Sequence, residues 1–218
     1  LERFIIKNKV KASPLIQRAL YTLPKGENLT PKNMSVVISN EMPENCIISD
    51  EGITCSQILY DETISAPKHD WLCITGGAIG QGLPVSFGAS VACPNRKVIA
   101  FQADGSAMYT LQALWSMARE NSNVTVIIIN NKSYAILNIE LKRLKAGNPN
   151  DKTLSMLDLN GPLLDWVSIA KGMGVEARKA TTLKEFDKYF RKAMLLKGPF
   201  LIDAVIEQNE ISLFKNKV

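Results

Sequence analysis

Hydrophobic positions along the chain fall into short runs that alternate between two periods. Cys46-Ile47-Ile48, Trp71 to Ile74, Lys97 to Gln102 and Val124 to Ile129 are brief continuous apolar stretches. The last is rich in β-branched residues, as in strands buried on both faces of a parallel sheet. Between them, residues 107–120 carry Met108, Leu111, Leu114, Trp115 and Ala118 at helical spacing. Residues 81–92 are small and apolar, fitting a helix held close to a sheet. Thr30-Pro31 opens another helix, a hydroxyl cap before proline at the first helical position, which runs to about Glu41 and stops at Pro43. Residues 54–60 and 134–144 also read as helices. The rhythm resumes after residue 160 with a helix near 162–171, a strand near 174–177, a helix near 182–196 and a strand at 200–206. Strand and helix alternate throughout without an internal repeat. This predicts an α/β fold: a three-layer α/β/α domain with a doubly wound, mainly parallel sheet.

Residues 1–28 lack a period, and Pro24-Lys25-Gly26 reads as a turn, so this stretch is expected to be a linker or the tail of a preceding domain. Residues 29–218 form the domain itself, with a polar, turn-rich insertion at 145–160 that is expected to be mobile. A length of 218 residues suits one domain, and 46% hydrophobic against 22% charged residues supplies a full core. The net charge of +5 comes from lysines spread along the chain, without clustered cations and interleaved aromatics, so no nucleic-acid partner is expected. No apolar run approaches a membrane span, so no membrane partner is expected either. Cys46, Cys55, Cys73 and Cys93 form no CxxC pair and lie in apolar segments. They read as buried free thiols, which suits a cytoplasmic location. The first residue is Leu1, so the chain is expected to be a fragment or a processed product.

In doubly wound sheets, ligands bind beyond the carboxyl ends of the strands. Four unusual pairs stand there: Glu51-Gly52, Gly76-Gly77, Asp104-Gly105 and Asn130-Asn131. A carboxylate at Asp104 can ligate a hard cation, and Gly105 lets backbone amides approach a phosphate. Asn131 comes 27 positions after Asp104, one helix and one strand later, which places its amide oxygen at a neighbouring strand end. Magnesium takes few protein oxygens and completes its shell with phosphate oxygens and water. Read singly, Asp104 fits a helix cap and Asn130-Asn131 a turn equally well.

Taken together, Asp104-Gly105-Ser106 and Asn130-Asn131 resemble the signature of thiamine-diphosphate (ThDP) enzymes, Gly-Asp-Gly followed by Asn-Asn, with Ala103 in place of the first glycine. Segments 75–92, 103–120 and 126–137 are similar to the acetolactate synthase, benzoylformate decarboxylase and pyruvate decarboxylase group, and the resemblance runs over about residues 30–206. It implies that Asp104 and Asn131 hold Mg²⁺ by their side chains and Ser133 by its carbonyl. Gly105 and Ser106 would contact the diphosphate, and Ile53 and Thr54 its other side. Gly77 would accept from the aminopyrimidine, with Ala78 beside it. Ile79 would be the wedge that bends the cofactor, and Tyr134 a cofactor contact on the cavity wall. The resemblance further implies a small 2-keto acid substrate, a glutamate-bearing pyrimidine-binding domain on a neighbouring subunit, and a homodimer or tetramer. No segment here resembles that domain, so this chain alone is expected to bind cofactor weakly and turn over little. It leaves open whether the complete protein binds FAD.

Leu137 stands where pyruvate decarboxylases carry glutamate; an apolar residue at that position is what acetolactate synthases and benzoylformate decarboxylases have. Tyr109 and Ala113-Leu114-Trp115 look like benzoylformate decarboxylase. The methionine of acetolactate synthases is replaced by Ile79, and their arginine and tryptophan after the second motif are missing from Asn138-Ile139-Glu140. Acetolactate-synthase-like chemistry is the main expectation. The alternatives are a benzoylformate-decarboxylase-like enzyme, a noncatalytic ThDP-binding or oligomerisation module, and a short-chain dehydrogenase built on Thr75-Gly76, Gly80 and Gly82. Against the last, Tyr134 has Asn138 four residues on, where that family has lysine. Within this chain the catalytic candidates are Glu51 and His69. Each also fits a plainer role, Glu51 as a solvated strand-end charge and His69 as a loop histidine bonded to Asp70. Trp115 and Trp166 read as core.

Overall fold

Six strands carry the fold: β1 (Ile47–Glu51), β2 (Asp70–Cys73), β3 (Val98–Ala103), β4 (Val124–Asn130), β5 (Glu176–Ala180) and β6 (Phe200–Val205). The computed structural model describes residues 22–24, 27–145 and 149–207. The strands form one sheet in the order β2-β1-β3-β4-β6-β5, and every neighbouring pair is parallel. The expected doubly wound architecture is therefore present. The central strands are buried on both faces, which explains their unbroken apolar runs. From β1 the chain steps outward to β2 and then crosses back to β3 on the other side. That reversal opens a crevice at the carboxyl ends of β1 and β3.

The helices are α1 (Pro31–Glu41), α2 (Ser56–Thr63), α3 (Gly82–Ala92), α4 (Asp104–Ala107), α5 (Ala113–Arg119), α6 (Ala135–Arg143), α7 (Asp151–Ser155), α8 (Trp166–Gly172) and α9 (Leu183–Leu195). Side chains alternate across each strand. Ile99, Phe101, Ile127 and Ile202 pack with α1, α2 and α9, whereas Val98, Ala100, Val126 and Leu201 pack with α3, α5 and α8. Fully burying a side chain such as Phe101 or Ile127 contributes about 1.5–3 kcal/mol.

Local chemistry sets where the helices begin. Thr30 Oγ1 accepts from the Asn33 amide (3.2 Å) and Asn33 Oδ1 accepts from the Thr30 amide (2.8 Å), closing a capping box ahead of Pro31. Thr182 and Glu185 build the same box at α9. From there Leu183, Phe186, Phe190 and Ala193 present one apolar face to the sheet. Asp165 caps α8 by accepting from the Ser168 amide (3.0 Å), so that helix starts later than its apolar pattern predicts.

The single helix expected over 107–120 is two pieces, α4 and α5. Residues 108–112 between them form turns, with Thr110 Oγ1 donating to the Gly80 carbonyl (2.6 Å) and holding the chain out of helical geometry. Trp115, expected in the core, is 52% exposed and lies under the Arg119 guanidinium, whereas Trp166 is fully buried. Cys46 and Cys55 are buried free thiols, but Cys73 is exposed and Cys93 partly so; Cys73 ends the edge strand β2, which has no neighbour on one side.

Residues 149–160 form α7 and a return stretch. Within it the Leu157 carbonyl accepts from the Tyr134 amide (3.0 Å), and the Leu159 amide donates to the Lys132 carbonyl (2.9 Å). Residues 146–148, and most of the stretch expected to be a linker, lie outside the described residues. Among the described residues no helix is long and apolar enough to cross a membrane.

Replacing Thr182 with alanine removes one half of the α9 capping box. Equilibrium urea unfolding of Thr182→Ala is expected to show a loss of about 1 kcal/mol with an unchanged slope. A loss below the error of the measurement would show that packing alone holds the start of α9.

Candidate functional site

β3 and β4 are neighbours in register, with Ala103 opposite Ile129, so the loops that follow them leave the sheet side by side. Asp104 is the first residue beyond β3 and is 2% exposed. Its Oδ1 accepts from the Gly105 amide (2.8 Å), and its Oδ2 accepts from the amide of Lys132 in the adjacent loop (2.8 Å). One carboxylate thus joins both loops. Asn131, also buried, turns its Oδ1 back to accept from the Ser133 amide (2.9 Å).

These residues face a cavity of about 70 Å³. Asp104, Asn131, Ser133, Gly105, Ser106, Ile53, Thr54, Ile79 and Tyr134 all line it, with Ala103, Ala135 and Ile136. Gly77 and Ala78 lie on the exposed loop that leads to Ile79 and do not line the cavity itself. A Cβ on Gly105 would run into the Tyr134 ring, so that ring lies directly on the Gly105 backbone. The helix after Asp104, expected to be long, is only four residues.

Burial pushes the Asp104 carboxyl up from its usual 3.8 to about 6, against the pull of the Lys132, Gly105 and Asn131 amides. Each Asp104 oxygen, and the Asn131 amide oxygen, can accept more than the one bond described. Among the described residues no group of three His, Cys, Asp or Glu stands together as a metal-binding set. A cation here would draw on one carboxylate, one amide oxygen and a carbonyl, with the rest supplied by phosphate oxygens and water. That all-oxygen donor set suits Mg²⁺ rather than a soft metal.

Two backbone features at the cavity were not legible from residue types. Ile53 (φ 53°), a β-branched residue, and Lys132 (φ 59°) both adopt left-handed conformations. Such geometry costs on the order of 1–3 kcal/mol and persists where the surroundings over-determine it.

Glu51 differs from the solvated charge its position suggested. It is 0% exposed, its Oε1 accepts from the Gly80 amide (2.6 Å) and its Oε2 from the Gly82 amide (2.5 Å). Gly82 has to be glycine, because a Cβ there would press on Gln102 Oε1 and Glu51 Cβ. Gln102 donates to Ser106 Oγ (2.8 Å), while its buried Oε1 has no partner.

The structure does not bring His69 to this cavity. It precedes β2, at the amino end of the sheet, with Nδ1 2.7 Å from the Pro67 carbonyl. The expected bond to Asp70 is replaced by an ion pair of Asp70 with Arg96 (2.6 Å). Sequence reasoning also missed Thr110 and the Leu157–Leu159 return, neither of which belongs to a motif.

Because the folded-state carboxyl of Asp104 titrates higher than an unfolded one, the folded protein holds that proton more tightly. Its contribution to stability is full below pH 3.8 and is lost as pH rises through about 6. In metal-free protein, the unfolding free energy of wild type minus that of Asp104→Asn is expected to fall by about 2–3 kcal/mol between pH 4 and pH 7. A flat difference would show that Asp104 is solvated.

The family described as "Thiamine pyrophosphate enzyme, C-terminal TPP binding domain" matches residues 52–204. The chain is 50% identical over 185 residues to the "Putative acetolactate synthase large subunit IlvX" of Mycobacterium tuberculosis, covering 84% of this chain and 36% of the relative. It is 31% identical over 206 residues to benzoylformate decarboxylase of Pseudomonas aeruginosa, covering 93% of this chain and 38% of the relative. Among solved structures, the thiamine diphosphate-dependent 4-hydroxybenzoylformate decarboxylase of Rhodococcus jostii RHA1 superposes with a TM-score of 0.74 at 29% identity, over 91% of this chain and 37% of that one. The chain thus spans just over a third of the length of these relatives. With the family's region extending from Gly52 through the Asp104 and Asn131 loops into β6, the chain belongs to the thiamine pyrophosphate enzymes and carries their C-terminal cofactor-binding domain.

Proposed function

We propose that this chain is the diphosphate- and magnesium-binding part of an acetolactate-synthase-like enzyme that decarboxylates 2-keto acids, with or without joining the product to a second carbonyl compound. The observation that carries this reading is the convergence of Asp104 and Asn131, from adjacent strand ends, on one cavity. The 50% identity to the mycobacterial relative supports the acetolactate-synthase type.

In this reading Asp104 and Asn131 bind Mg²⁺ through their side chains and Ser133 through its carbonyl. Gly105 and Ser106 receive the diphosphate on one side, Ile53 and Thr54 on the other. Gly77 and Ala78 meet the aminopyrimidine along the exposed loop, Ile79 wedges between the two rings, and Tyr134 closes the wall. ThDP, when bound, supplies the electron sink that decarboxylation of a 2-keto acid requires. The protein's share is placement. The buried loops would hold the metal and diphosphate, and Ile53, Ile79 and Ile136 would offer the rings an apolar wall.

A pyrimidine-binding domain on a neighbouring subunit would supply the glutamate that faces the cofactor ring. The working unit is therefore a homodimer or tetramer in the cytoplasm, and this chain by itself turns over little. Flavin absorbance of the complete protein tests for FAD. A second reading, a benzoylformate-decarboxylase-like enzyme, is favoured by Tyr109 and Ala113-Leu114-Trp115 and by the 31% identical Pseudomonas relative.

A thermal-shift titration with ThDP and Mg²⁺, paired with decarboxylation assays on pyruvate and benzoylformate, tests both readings. ThDP is expected to raise the melting temperature only with Mg²⁺ present, and EDTA to abolish the rise. Asp104→Ala and Asn131→Ala are each expected to weaken cofactor binding about a hundredfold, roughly 2.7 kcal/mol. Metal-independent binding, or strong turnover by this chain alone, would overturn the proposal. Preference for benzoylformate would select the second reading.

A further inference from the structure

The glycine loop between β2 and α3 carries the residues that would meet the cofactor rings, yet little of it packs on the protein. A Cβ on Gly76 or Gly77 would meet nothing within 4 Å, and Ile79 is 41% exposed. Its internal bonds are two tight turns, Ala78 amide to Thr75 carbonyl (3.2 Å) and Ile79 amide to Gly77 carbonyl (3.0 Å). These shape the loop but do not fix it to the sheet.

The fixing comes from Glu51. Its two carboxylate oxygens each accept one loop amide, from Gly80 (2.6 Å) and from Gly82 (2.5 Å). Thr110 holds Gly80 from the other side by donating to its carbonyl (2.6 Å). Gly80 itself adopts φ +94°, and a Cβ there would meet Tyr109 Cβ at 2.7 Å, so the grip closes around a residue without a side chain. Glu51 is the last residue of β1, one position before the Gly52–Thr54 turn that borders the cavity. Two N–H donors facing one side chain call for a group with two acceptor oxygens and no donor, which is an ionised carboxylate. Charge-assisted bonds of this kind are about twice as strong as neutral ones.

We propose that Glu51 is a positioning residue: by gripping Gly80 and Gly82 it sets where the Gly76–Ile79 segment stands at the cavity mouth, and so aligns the cofactor rings without touching the reacting atoms. The inference rests on the function proposed above. It separates two tasks within one site, because the metal and diphosphate are held by other loops. Loss of Glu51 therefore weakens alignment more than binding.

The test uses Glu51→Gln, Glu51→Ala and Thr110→Val. In the assembled enzyme, kcat is expected to fall roughly tenfold in Glu51→Gln, which keeps one acceptor oxygen, and roughly a hundredfold in Glu51→Ala, since misplacement by about 1 Å costs on that order. Affinity for ThDP with Mg²⁺ should stay within about threefold of wild type. In the cofactor-free chain, amide hydrogen exchange at Gly80 and Gly82 should speed up in all three variants while β3 and β4 remain protected. Thr110→Val, with a smaller fall in kcat, covers the case in which the Glu51 variants do not fold. An unchanged kcat in Glu51→Gln, retained protection at Gly80 and Gly82, or an affinity that falls in step with kcat would overturn the proposal. A wild-type protein that binds no ThDP would instead overturn the function proposed above, and the exchange measurement would still decide whether Glu51 anchors the loop.

Discussion

The bond between the Asp104 carboxylate and the Lys132 amide is the constraint on which the site depends. It crosses from the loop after β3 to the loop after β4 and fixes their separation. A carboxylate this deeply buried is costly unless its charge is answered. Backbone amides answer it only in part, and burial still pushes the carboxyl up to about 6. A divalent cation at the same point would supply the missing positive charge. With such a cation bound, folding and metal capture would be coupled through one group.

Much of the architecture could be read from residue order. The β-branched run that became β4, the capped helices at Thr30 and Thr182, and the strand-end positions of Asp104 and Asn131 all follow from local rules. These features depend on short-range chemistry or on burial from both faces, and both leave a pattern in sequence. What could not be read depends on contacts between distant segments. Apolar spacing continued through residues 108–112, but a tertiary bond from Thr110 to Gly80 broke the helix there. Trp115 lies on the solvent face of the helix that follows. Glu51 looked like a solvated charge because nothing near it in sequence shows that two loop amides, about 30 residues on, converge on its oxygens.

The site contains one kind of machinery. Every polar group at the cavity is suited to holding a cation, a phosphate or a backbone in place. The only histidine, His69, lies at the other end of β2. Relatives named for different reactions resemble this chain because they share its cofactor-binding domain.

The return stretch at Leu157–Leu159 has a consequence of its own. By pairing with Lys132 and Tyr134, it splints the Asn131 loop from outside, although it lies more than twenty residues downstream. Shortening the polar stretch around α7 would pull on that splint. The damage would surface in the Asn131 loop, with the hydrophobic layers beneath left intact.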